Sequence, residues 1–104
     1  MEKLVNALIN DNNKYFDYCS KTIERWSSKE LVARVFKTIN KKLDKIKEIE
    51  NKEEINAIVE ELIELNYFYI DMYNRHFKDD NQLRETLKFE HEQNIIALSL
   101  IKRM

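Results

Sequence analysis

Apolar positions in this chain recur at helical spacing almost from end to end. Met1, Val5, Leu8, Asn12, Tyr15, Cys19, Thr22 and Trp26 step by four and three without a slip, which keeps them on one seam of a helix that packs against others. A second row at spacing seven, Ile9, Phe16 and Ile23, widens that stripe to the width a core-facing helix needs. Ile55, Val59, Leu62, Asn66, Tyr69, Tyr73 and His76 repeat the design, with Ile63, Ile70 and Phe77 beside them. Shifted by 54 residues the two patterns superimpose, Asn12 falling on Asn66 and Tyr15 on Tyr69. Between and after them run Leu31, Val32, Val35, Phe36, Ile39, Leu43, Ile46 and Ile49, then Leu83, Leu87, His91, Asn94, Leu98 and Ile101.

Three interruptions separate these stripes. Ser27-Ser28-Lys29-Glu30 has the Ser-x-x-Glu form of a capping box, Asn51-Lys52-Glu53-Glu54 repeats the logic with Asn51 as cap, and Asp79-Asp80-Asn81-Gln82 is a third, weaker start. The pattern predicts helices near 2–26, 28–50, 52–77 and 81–102, with Asn10-Asp11-Asn12-Asn13 as a run of poor helix formers that would split or delay the first. Connections of one to three residues leave room only for antiparallel neighbours. The expectation is a single all-α domain over 1–104, an up-down-up-down four-helix bundle. The chain holds neither glycine nor proline in 104 residues, which removes the usual residues of sheet turns and of phosphate-cradling backbone and reinforces this reading.

Charge sorts the helices. Residues 28–50 carry seven basic and four acidic side chains, and 52–77 carry two basic and six acidic, so helices 2 and 3 attract one another as a hairpin. Overall the formal charge is −1, which offers no polyanion-binding surface, and nucleic acid is not the expected partner. The apolar runs are too short to span a bilayer. The start MEKLVNALINDNN lacks the long apolar core of a signal peptide, and the lone Cys19 has no partner for an internal disulfide. A cytoplasmic protein is expected.

Candidate chemistry is sparse. Neither His76 nor His91 follows a glutamate by three residues, as carboxylate-bridged di-metal bundles require, and with one cysteine no zinc site is expected. No cofactor is expected either. The anomaly lies in the seams, where Asn12, Asn66, His91 and Asn94 come to nearly one height in an antiparallel bundle. Such a buried polar layer must be internally bonded, hydrated or occupied by a ligand, and seam asparagines mostly fix register.

Arg84 and His91 form an Arg-x6-His spacing that resembles the ribonuclease motif of the HEPN superfamily, small helical bundles in which an Arg and a His act together at a dimer cleft. The resemblance implies a phosphate held by Arg84 with His91 as acid or base, although Glu85 stands where that family commonly has Asn, Asp or His. The bundle length and the stretch FKTINKKLD, Phe36 to Asp44, are similar to bacteriocin immunity proteins, whose glycine-containing C-terminal segment has no counterpart here. A third feature is the back of helix 4. Phe89, Ile96 and Leu100 lie opposite its core stripe, and Phe68 of helix 3 comes to the height of Phe89. The expected function is therefore a non-enzymatic interaction protein, an inhibitor, immunity-type protein or regulatory adaptor. Phe68, Phe89, Ile96 and Leu100 would bind a protein partner or a second copy, and the HEPN-like nuclease is the alternative.

Overall fold

The computed structural model describes residues 1–104 and contains four helices and no strand: α1 (Glu2–Thr22), α2 (Trp26–Glu48), α3 (Lys52–His76) and α4 (Asn81–Arg103). They run antiparallel in chain order around a square, within a body of 42 × 21 × 18 Å. Each helix touches its two neighbours, α3 and α4 packing most closely and α2 and α3 least, while the diagonal pairs α1 with α3 and α2 with α4 have no backbone proximity. No residue has positive φ. The connections turn in extended and bridge conformations that any residue adopts, which is how a glycine-free chain reverses three times.

The second and third starts form as the residues dictate. Asn51 Oδ1 accepts from the backbone N–H of Glu53 at 2.9 Å and of Glu54 at 3.2 Å, and Asp80 Oδ1 accepts from Leu83 N–H at 3.1 Å. The first differs from expectation. α1 ends at Thr22 and α2 begins at Trp26 with Arg25 as an N-cap that makes no side-chain bond, so the turn is Ile23–Arg25 and not Ser27. Ser20 and Thr22 hydroxyls bond back to the carbonyls of Asp17 and Cys19, each at 2.9 Å. Ile23 then takes an extended conformation and plugs the core, as β-branched residues readily do. Ser27 sits exposed within α2, and Glu30 pairs instead with Arg34 at 2.8 Å. Trp26, read as the last seam residue of helix 1, is 73% exposed because the early turn ejects it.

Asn10 to Asn13 do not interrupt α1. Packing and the hydrogen bonds of Asn12 and Asn13 outweigh the few tenths of a kcal/mol per residue that propensity withholds. The core is one cluster of 19 buried apolar residues drawn from all four helices and from the α1–α2 and α3–α4 turns. Around it, Lys42–Glu61 ties α2 to α3 and Lys102–Glu60 ties α4 to α3, each at 2.7 Å. The expected attraction between helices 2 and 3 is thus realised as one direct ion pair, worth about 0–1 kcal/mol at the surface. No helix is long and apolar enough to cross a membrane.

Candidate functional site

Two features distinguish the molecule from a plain apolar bundle: a polar interior on the seams of α1, α3 and α4, and an apolar exterior on α4. The interior resolves into two hydrogen-bonded groups. In the first, Asn66 Nδ2 donates to the Leu62 carbonyl at 2.7 Å, which fixes its Oδ1 as an acceptor. His91 Nδ1 lies 2.7 Å from that oxygen and must donate, leaving Nε2 to accept from the Tyr73 hydroxyl at 3.0 Å. Phe36 stacks on the imidazole at 5.1 Å, and Tyr69 and Tyr73 flank it at 5.9 and 5.2 Å. Burial pushes His91 down to about 3 and pushes the Tyr73 phenol well above its ordinary value, so this is a neutral pair with the proton on the phenol.

In the second group Asn12 and Asn94 exchange amide bonds, Asn12 Nδ2 to Asn94 Oδ1 at 3.1 Å and Asn94 Nδ2 to Asn12 Oδ1 at 2.7 Å. Asn12 also donates to Asn40 Oδ1 at 2.9 Å, and Asn40 donates to Asn13 Oδ1 at 3.0 Å, so the amides run outward to the α1–α2 surface. At the inner end Asn94 Nδ2 reaches the Glu90 carbonyl at 2.8 Å and its carboxyl Oε1 at 3.4 Å. Glu90 is buried with no cation beside it. Burial, and then the nearby Asp11 carboxylate, push it up to about 7, against the lowering bond from Asn94.

Asn12, Asn66, His91 and Asn94 are thus all buried, but as two pairs, Asn12 with Asn94 and Asn66 with His91. Glu90 and Tyr73 complete the groups, and Glu90 escaped the sequence reading because a charged residue beside a seam is ordinarily solvated. The signal was present, since Leu83, Leu87, Glu90, Asn94, Ala97 and Ile101 also step by four and three.

The arrangement corrects the pairing of Arg84 with His91. His91 has no exposed surface, and both its ring nitrogens are engaged inside the bundle. The Arg84 guanidinium turns back to donate to the carbonyls of Phe77 and Lys78, at 3.3 and 2.8 Å, and to Asn81 Oδ1. It latches the α3–α4 turn, and the two side chains face no common opening. His76 is exposed near Ser28 of α2, 3.5 Å from its hydroxyl. It lies on a helix diagonal to that of Cys19, whose buried thiol is pushed up to about 11, mainly by burial and then by Glu90. No three His, Cys, Asp or Glu side chains gather in a way that would hold a metal ion.

On the outside, Phe89, Ile96, Leu100 and Phe68 are 51, 56, 46 and 56% exposed. The first three share the back of α4. Phe89 leans on Tyr15 of α1 at 6.2 Å, and Tyr15 and Tyr18 continue the surface into a shallow groove of about 390 Å³ with Lys14 and Thr86. Tyr18 was not anticipated, because its place toward α4 depends on which helix neighbours α1. Phe68 pairs edge-on with Tyr69 of its own helix at 5.8 Å, on the side of α3 that turns toward α2. Comparison with family models, curated proteins and solved structures returns no match.

Proposed function

We propose that this chain is a protein-binding helical bundle whose working surface is the outer face of α4 with the adjoining edge of α1. The observation that carries this reading is the row Phe89, Ile96 and Leu100, each about half exposed on one helix face and continued by Tyr15 and Tyr18. A helix packed on one side has no use for these residues there, and aromatic and large aliphatic side chains in a contiguous patch are the composition of association surfaces. Covering their exposed halves would contribute roughly 1 kcal/mol each. Phe68 belongs to a separate patch and is not required.

The test compares the wild-type chain with the double variant Phe89→Lys, Ile96→Glu, and with Phe68→Lys as a control, by affinity capture from the native cells. All three should melt alike, because the substituted positions are exposed. The expected result is one protein retained by wild type and by Phe68→Lys and lost by the double variant. Equal retention by all three would remove the α4 face as the binding surface.

A further inference from the structure

The outer face of α4 is built to match itself. Phe89, Gln93, Ile96, Leu100 and Arg103 step by four and three, so α4 carries a second seam of the kind that pairs helices, back to back with the one that packs the core. Glu85 stands one further step of four before Phe89. If a second copy is laid antiparallel on this face with the two-fold axis between Asn94 and Ile95, Phe89 meets Leu100 of the second copy and Gln93 meets Ile96. About the same centre, Glu85 comes beside Arg103 of the second copy. About this centre the outer pairs are complementary, acid against base and apolar against apolar, while the Gln93 amide lies beside Ile96 at the middle.

Neither Glu85 nor Arg103 has an ion-pair partner within the chain, and both side chains are exposed. On the α1 flank of this face Asp11 and Lys14 add one charge of each sign and Glu92 adds an acid on the other flank, so the surface carries mixed charge and favours no strongly charged partner. The side of the molecule that carries this face has room for a stable contact. One side of a body of 42 × 21 × 18 Å is on the order of the ~800 Å² that each partner buries in a standard interface.

Resting on the reading of α4 as the working surface, we infer that its occupant is a second copy of this chain, joined as a two-fold dimer with α4 antiparallel to α4, Phe89 against Leu100 and Glu85 against Arg103. Such an isologous contact uses one patch twice, and both ion pairs are equivalent. Charge reversal then has a signature that no other occupant gives. Glu85→Arg alone sets arginine against arginine, and Arg103→Glu alone sets glutamate against glutamate. An equimolar mixture of the two variants restores both pairs in the heterodimer.

The experiment is sedimentation equilibrium on the purified chain over a roughly hundredfold concentration range. Circular dichroism of each variant checks that the exposed substitutions leave the fold intact. Wild type should show a reversible monomer–dimer equilibrium that Phe89→Lys, Ile96→Glu abolishes. Each single reversal should weaken the dimer about tenfold, and the mixture should recover wild-type affinity to within about threefold. A wild type that stays monomeric throughout, or a dimer indifferent to both reversals, or a mixture that associates no better than its components, would each overturn the proposal. A monomeric wild type that nonetheless loses its captured protein on Phe89→Lys, Ile96→Glu leaves the surface reading standing and removes the second copy as its occupant.

Discussion

At the residue scale the most consequential side chain is Glu90, a carboxyl inside the α1–α4 interface with a single amide contact and a neighbouring carboxylate. A carboxyl raised to about 7 in the folded chain binds its proton more tightly there than in the unfolded chain. Its contribution to stability is full below the unfolded value near 4.5 and is lost as pH rises through about 7. His91 acts in the opposite sense. Held down to about 3, it contributes fully above about 6.5 and loses that contribution as pH falls toward 3. Glu90→Gln separates the two, because it keeps the amide contact and removes only the ionisation. Denaturant unfolding should give nearly equal stabilities for wild type and variant at pH 4, and an advantage of about 3 kcal/mol for the variant at pH 8 to 9. A variant less stable than wild type at high pH would mean that the Glu90 carboxylate is compensated by a contact not seen here. Asn12, Asn66, His91 and Asn94 were legible as buried from spacing alone. Their pairing was not, because Asn12 and Asn66 lie on diagonal helices and each answers to a different residue of α4, one turn apart.

At the element scale, helix number, order and two of the three starts follow from local chemistry, and the first turn shows what local chemistry misses. Ser27 to Glu30 matches a capping box in letters, but Ser28 and Val32 are buried, and α2 must already be helical to present them inward. α2 therefore starts two residues earlier, with Arg25 at its N-cap, and Ser27 lies inside the helix. Asn51 is a working cap with two backbone donors on its oxygen. Asn51→Ala should lower unfolding stability by about 1 kcal/mol, whereas Ser27→Ala should change it by less than about 0.5 kcal/mol. Urea titration of both variants checks this pair, and a larger loss from Ser27→Ala would return the α2 start to the serine. Arg84 belongs to the same lesson. Its position on α4 permits an inward reach toward His91, yet three acceptors of the preceding turn hold it first.

On the scale of the whole molecule, four helices share one core of 19 apolar residues, so opening any seam exposes the others and the bundle should unfold as a unit. Cys19 reports on this directly. It has no exposed surface, and its thiol is pushed up to about 11, so a thiol reagent reaches it only through an opening of the α1–α4 seam. At neutral pH, labelling should be at least about a thousandfold slower than in the urea-unfolded chain and should fall in step with global stability as denaturant is withdrawn. Labelling within tenfold of the unfolded rate would show that α1 opens independently of the rest.

The sequence by itself determined that this chain is helical, that four helices alternate in direction, which stripe of each faces inward, and that amides and a histidine lie within those stripes. These follow from a period of 3.6 residues and from side chains that cap their own backbone, both of which act within a turn or two of chain. Only the tertiary structure decided which neighbour covers each flank. That choice buries Glu90, joins Tyr15 and Tyr18 to the back of α4, and sends Phe68 to a different face. The burial of a flanking residue depends on a helix that is distant in sequence, and no spacing within one helix encodes it.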